Sequence, residues 1–170
     1  MNHNLTFDFS VDKENKTIKV KREFAAAHSL VWDAYTKSEI LDQWWAPKPW
    51  QARTKRMDFR EGGEWLYAMT GPEGEEHWSI ARYTAVDPKN SFTGTDAFTD
   101  ASGKINPDMP QSKWSVVFKP MGDKTLVTFT IQYPDLAQLE ETIKMGFKEG
   151  LSAAMEGLDA LLPSLKKSGQ

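Results

Sequence analysis

Residues 134–163 read PDLAQLEETIKMGFKEGLSAAMEGLDALLP, the longest helical pattern in the chain. Leu136, Leu139, Ile143, Phe147, Leu151, Ala154, Leu158 and Leu161 recur at three- and four-residue steps, which puts them on one stripe of a 3.6-residue helix. Glu140, Glu141, Lys144, Lys148, Glu149 and Glu156 fall mostly off that stripe, toward water. The pattern predicts one helix from Asp135 to Leu162. Asp135 stands three residues before Gln138, so its carboxylate can accept from free backbone N–H groups while Gln138 reaches back. Pro163 is expected to stop the helix. Gly146, Gly150 and Gly157 lie inside the pattern, each at a cost of about 1 kcal/mol relative to alanine. Gly146 and Gly150 are four apart on one face, so the missing side chains let another surface approach closely or leave room for a bound molecule, with sheet–helix contact the expected reading.

The upstream chain supplies that surface. Leu5, Phe7, Phe9 and Val11 alternate with polar residues. After the polar turn DKENK, Ile18, Val20, Arg22 and Phe24 resume the alternation, which reads as a hairpin. His28–Thr36 and Ser38–Trp44 carry apolar residues at helical spacing, two short helices with Ser38 as the second N-cap. From Ala52 the period is two. Ala52–Arg60, Glu64–Thr70, His77–Val86, Ser91–Thr99, Ser112–Pro120 and Thr125–Tyr133 are separated by EGG, GPEGE, DPKN, DASGKINPDMPQ and MGDK. Short consecutive links favour an antiparallel meander, because parallel strands need crossovers of about a dozen residues or more. A sheet with one apolar face must bury it against a second layer, and only the C-terminal helix is long enough. The fold class is α+β, with the two short helices closing one end of the groove. The chain reads as one domain over residues 1–170, with 1–15 as an added N-terminal strand or arm and 163–170 as a tail.

The composition narrows the function. A chain of 170 residues buries roughly 70% of its unfolded surface, enough for one core. Its 21 Lys and Arg against 24 Asp and Glu give a net charge of −3, with no global attraction to nucleic acid or anionic lipid. The absence of cysteine excludes disulfides and thiolate metal sites. MNHNLTFDFS lacks a basic n-region and an apolar h-region, and no apolar run approaches the roughly 20 residues that span a bilayer. A cytoplasmic protein without a nucleic-acid or membrane partner is expected. Basic residues cluster at Lys16, Lys19, Lys21 and Arg22, and again at Arg53, Lys55 and Arg56, and would form a positive patch if their strands were neighbours.

The run REFAAAHSLVWDAYTKSEILDQWWAP, then DFREGGEW, ARYTAVDP and GFKEGLSAAMEGLDALL, resembles the START-like, helix-grip superfamily labelled SRPBCC. The branch it resembles is homologous to the C-terminal domain of the activator of the ninety-kilodalton heat-shock protein ATPase. Its motifs appear here as Trp44-Trp45-Ala46-Pro47, Asp58-Phe59-Arg60-Glu61-Gly62-Gly63 and Gly146-Phe147, with Ala46 in place of the usual glycine, Ala27 where proline is common and Phe147 in place of tryptophan. The resemblance implies a sheet of roughly seven antiparallel strands curved around the C-terminal helix, with a cavity between them that in many relatives takes an apolar small molecule. Other relatives are polyketide cyclases or bind a heat-shock chaperone, so a chaperone partner is implied as well.

The residues themselves carry no catalytic signature: HExxH, CxxC, GxSxG, P-loop and dinucleotide motifs are missing. His3, His28 and His77 form no pair at metal spacing, so no metal site and no cofactor are expected. Glu64, Glu76, His77, Arg82 and Asp96 lie in or beside strands, where any one facing a cavity could act as acid or base. Charged side chains are rarely buried unpaired, so a solvated strand face is the default reading and no catalytic residue is assigned.

The aromatic residues carry the functional reading. Trp65, Tyr67 and Met69 alternate on one strand, Trp78, Ile80 and Arg82 on the next, Phe92 and Phe98 on another, and Trp114, Val116 and Phe118 on the one after. A dry void of ~300 Å³, the lower end of ligand pockets, would cost on the order of 7 kcal/mol, about the stability of a whole domain. Either the rings fill the space or water or an apolar ligand occupies it. Buried Tyr O–H and Trp N–H groups want partners, which favours occupancy. The expected lining is Trp44, Trp65, Tyr67, Trp78, Tyr83, Phe98, Trp114, Phe118, Met145 and Phe147. The expected function is non-enzymatic binding of an apolar or aromatic small molecule. The alternatives are a co-chaperone-like interaction module, or a cyclase or hydrolase using one cavity acid or base.

Overall fold

The computed structural model describes residues 6–168; His3, Leu5 and the end of the expected tail lie outside them. The elements are β1 (Phe7–Asp12), β2 (Thr17–Phe24), α1 (His28–Thr36), α2 (Ser38–Trp44), β3 (Gln51–Met57), β4 (Glu64–Thr70), β5 (Glu76–Asp87), β6 (Ser91–Thr99), β7 (Gln111–Met121), β8 (Lys124–Gln132), α3 (Leu136–Lys144) and α4 (Phe147–Ser168). All strands form one curved antiparallel sheet in the order β1-β2-β8-β7-β6-β5-β4-β3, a helix-grip α+β fold with eight strands rather than about seven. Strands β3 to β8 are a meander, as the short links require. The pairing of β2 with β8 joins the N-terminal hairpin to the last strand, with Ile18 opposite Ile131 and Val20 opposite Phe129.

Period-two alternation divides the sheet into two faces. The inner face presents Ile18, Val20 and Phe24 of β2, Val127, Phe129 and Ile131 of β8, and Val116 and Phe118 of β7, all buried. Leu151, Ala154, Met155, Leu158 and Leu162 of α4 cover them. A fully buried side chain of this size contributes about 1.5–3 kcal/mol, so this contact is the main source of stability. α1 and α2 both touch α4, and α2 also touches β3, so the short helices close one end of the layer as expected. On the outer face Leu66, Ile80 and Ala97 form a small separate cluster with Trp78 and Ile105.

The C-terminal helix departs from its expected form in two places. It is broken at Gly146, which takes φ +90° and caps α3 by donating its N–H to Ile143 O at 3.0 Å. That conformation is open to glycine and strained for other residues, so the apolar stripe runs through the sequence while the helix does not. The stripe is re-phased after the break, so that Met155 and Leu162 are fully buried and Leu161 only partly. Pro163, by contrast, lies inside α4 and does not end it. Beyond Pro163, Leu165 packs on the core, Ser164 Oγ donates to Leu161 O, and Lys166 Nζ donates to Ala25 O at 2.7 Å, which offsets the lost backbone bond.

Three smaller expectations are also corrected. Lys37 rather than Ser38 is the N-cap of α2, and its side chain makes no capping bond. A methyl group added at Gly157 would meet nothing, and one at Gly150 would make only ordinary contact with Pro47, so no close surface approach explains these glycines. The two basic clusters lie on β2 and β3, near opposite edges of the sheet, and Arg22 is buried, so they form no common patch. The Asp135 cap does form: Oδ1 accepts from Gln138 N–H at 2.9 Å, while the Gln138 side chain donates to Asp135 Oδ2 and accepts from Gln111 N–H.

Candidate functional site

Between the sheet and the short helices a cavity of about 50 Å³ remains, lined from β4 by Trp65 and Tyr67, from β5 by Ala81 and Tyr83, and from β6 by Phe92, Gly94, Thr95 and Asp96. Trp114, Val116 and Phe129 line it from β7 and β8, and Tyr35, Leu41 and Trp45 from the helical side. The register explains the grouping. Gly94 lies opposite Tyr83 and Trp114, Asp96 opposite Ala81 and Ser112, so all face inward together.

Of the ten expected lining residues, Trp65, Tyr67, Tyr83 and Trp114 face this cavity. Trp44 is buried one layer away, its ring 4.9 Å from Tyr35 and 5.3 Å from Trp45. Phe118 packs deeper, on Trp32 and Tyr35, and Phe147 packs on Trp114 from outside the lining. Phe98 shares the inner face with Ser79 but lies beyond the lining. Trp78 belongs to the outer cluster, because it pairs with Ala68 on the opposite parity from Tyr67. Met145 sits at the break between α3 and α4 and is 46% exposed.

Sequence reasoning missed Trp45 and gave Asp96 a solvated role. Trp44 lies three residues after Leu41 on the helical stripe and turns into the core, whereas Trp45 follows the last helical residue and swings over the cavity. Asp96 had a usable signal. Phe92, Gly94, Asp96 and Phe98 share one parity on β6, so two aromatic residues on its face already pointed inward.

The expectation that tryptophan and tyrosine would leave polar handles free for a ligand is corrected for the tryptophans by their hydrogen bonds, whereas the Tyr35 hydroxyl in the lining is buried without a partner among the described residues. Trp45 Nε1 donates to Tyr67 OH at 3.1 Å, Trp65 Nε1 to Thr54 Oγ1 at 2.9 Å, and Trp114 Nε1 to Ser112 Oγ at 2.8 Å. The Asp96 carboxyl is different: among the described residues it has neither a hydrogen-bond nor an ion-pair partner, and burial alone pushes its pKa up to about 7. Burial also raises Tyr67 and Tyr83, with the nearby Asp96 charge adding to it, and pushes Tyr133 up to about 12. As a residue Asp96 keeps partial exposure, because it also borders an open groove of about 440 Å³ on the other side. Ile80, Ala97 and Ile105 form the apolar part of that groove, and Lys16, Arg82 and Lys113 its basic part. Thr95 and Asp96 are shared by the cavity and the groove and stand at the partition.

Magnitudes decide how the space is used. At about 24 cal/mol per Å³, a 50 Å³ gap costs on the order of 1 kcal/mol, which a domain tolerates. The rings have therefore closed most of the larger void that the aromatic wall permitted. What remains has room for roughly three to five waters at about 10–15 Å³ each. Among the described residues no cluster of three His, Asp or Glu side chains could hold a metal. No helix of the described residues is long and apolar enough to cross a membrane.

Residues 25–163 match a family model described as activator of Hsp90 ATPase homolog 1-like protein. A solved structure from Mycobacterium smegmatis is 34% identical, with 93% of this chain and 96% of that one covered at a TM-score of 0.85. One from Arthrobacter aurescens is 26% identical over 92% of this chain and 91% of that one, at 0.87. A structure from Silicibacter pomeroyi whose printed name carries the same family label is 21% identical over 86% and 97%, at 0.69, and shows the fold alone. No curated protein matches the chain.

Proposed function

The chain belongs to the activator of Hsp90 ATPase homolog 1-like family, and from that premise we propose that it binds a small, mainly apolar molecule between sheet and helices. The observation that carries this reading is an aromatic-lined cavity containing one carboxyl group that the protein leaves without a partner. Buried polar groups are almost always paired, so an unpaired one facing a cavity points to an occupant. Trp45, Trp65, Tyr83 and Trp114 supply flat apolar walls, and Asp96 fixes orientation, a division of labour common to small-molecule sites. The present cavity admits little more than water, so a ligand enters by displacing lining side chains on the inner face rather than by filling a ready-made void.

The test uses the three tryptophans of the lining as reporters. A fragment library screened by intrinsic fluorescence and ligand-observed NMR should yield binders that quench tryptophan emission. It should also stabilise the fold by about 2.7 kcal/mol at a hundredfold excess over Kd. Failure of every small aromatic or aliphatic fragment to shift either signal would remove this reading. A second reading, contact with a heat-shock ATPase, is supported by the family description. Co-purification with the host's chaperone that survives ligand competition would favour it.

A further inference from the structure

We propose that the ligand of the aromatic cavity is a small organic cation, an alkylated or primary ammonium group held by the Asp96 carboxylate and the ring faces around it; this rests on the binding reading above. Among the described residues Asp96 is the only charged side chain in the lining, and the buried Arg22 lies outside it, paired with Asp159. Trp45, Trp65, Tyr83 and Trp114 share that lining, with Trp45 5.9 Å from Trp65 and 6.3 Å from Trp114 between ring centres. Aromatic faces carry negative quadrupole potential and attract cations, most strongly when water is excluded.

The three ligand charges differ in outcome. An anion would meet both the carboxylate and the negative ring faces. A neutral apolar molecule would remove the last water from Asp96 and leave the carboxyl unpaired, which opposes binding. A cation supplies the missing partner and uses the ring faces at the same time. The inner space of about 50 Å³ is small, so the head it takes is a compact ammonium group whose entry moves lining side chains.

The experiment titrates the full chain at matched ionic strength with methylammonium, trimethylammonium and tetramethylammonium chloride, and with tert-butanol as a neutral probe of similar shape, reading tryptophan fluorescence and calorimetry. At least one cation should bind saturably and at least about tenfold more tightly than tert-butanol. Asp96→Asn, nearly isosteric and relieved of a buried charge, should abolish that preference. Trp114→Leu serves as a second variant, losing cation affinity several-fold. Cation binding that Asp96→Asn leaves intact would overturn the proposal. So would neutral fragments binding where no cation does, with the binding reading itself still standing. Silence of cations and neutral fragments alike would remove both.

Discussion

Two aspartates lie against the inner layer under opposite conditions. Asp159 of α4 has the Arg22 guanidinium 4.0 Å away, with Arg22 itself buried, donating to Glu23 O at 2.6 Å and stacked 4.9 Å from the Phe24 ring. Asp96 of β6 faces a mainly aromatic cavity that contains no basic side chain. One carboxylate has a cation from the protein, although its Oδ1 is buried without a hydrogen-bond partner among the described residues, and the other has none. A fold that brings an arginine within 4.0 Å of one carboxylate partly offsets the cost of burying that acid. Leaving the second one bare therefore has a stability cost that only something from outside the chain can recover.

The largest effect should come from breaking the compensated pair. Arg22→Ala leaves Asp159 without its cation and opens space beside Phe24. It is expected to cost about 3 kcal/mol, at the low end for a broken buried pair because Asp159 keeps some exposure and the separation is long. Thermal denaturation should show a fall of about 6–12 °C. A fall of under 2 °C would mean the pair is not structural, and the contrast with Asp96 would dissolve.

The uncompensated carboxyl should respond in the opposite sense and only at high pH. Its folded pKa, about 7, lies above the unfolded carboxylate value, so stability is fully present below pH ~4 and is lost as pH rises through 7. The groups facing it from neighbouring elements are Tyr67, Tyr83 and Tyr133, all raised and uncharged in this range, with Lys16, Arg82 and Lys113 in the groove beyond. Asp96→Asn should thus stabilise the protein at pH 8 by about 2 kcal/mol, allowing for partial exposure, and change nothing at pH 4. Paired urea titrations of both proteins at the two pH values check the sign. Destabilisation at pH 8 would show that the carboxylate has a partner after all.

These contrasts bear on what could be read from sequence. The strands were legible because inner positions such as Ile18, Val20, Val127 and Phe129 are apolar at every second residue, and no competing period fits them. The helix was legible as a stripe but not as two pieces, since Gly146 breaks the backbone without breaking the spacing. The cavity was harder. Its walls are set by which strands become neighbours and by one step past a helix end, so Trp45 replaced Trp44 and Trp78 went to the outer face. Asp96 was set aside by a rule that holds for most acids, and only the inward parity of Phe92 and Phe98 argued against it.

A smaller effect is expected at the wall of the cavity. Trp45→Phe keeps a ring over the space but removes the N–H that Tyr67 OH accepts. The net loss should be about 1 kcal/mol, the usual value of one such bond, and hydrogen exchange should report faster opening near α2. An unchanged midpoint would indicate that water takes over the bond, and with it that the cavity is wetter than its lining implies.

The smallest change tests the Arg22 end. Tyr35 is 4% exposed, and its OH is buried without a hydrogen-bond partner among the described residues, although Arg22 is near enough for its charge to oppose the upward shift that burial imposes. An unpaired buried hydroxyl contributes a desolvation penalty and no bond, so removing it should be neutral or favourable. Tyr35→Phe keeps the ring contacts with Trp44 at 4.9 Å and Phe118 at 5.3 Å, which make up most of what this side chain contributes. The expected outcome is a gain of between zero and about 1 kcal/mol by urea denaturation. A loss of more than 1 kcal/mol would place a bridging water between Tyr35 and the Arg22–Asp159 pair, making that end of the layer a polar network. The contrast with Asp96 would then become sharper, since water would link the polar groups at one end while the carboxyl at the other still lacked a partner.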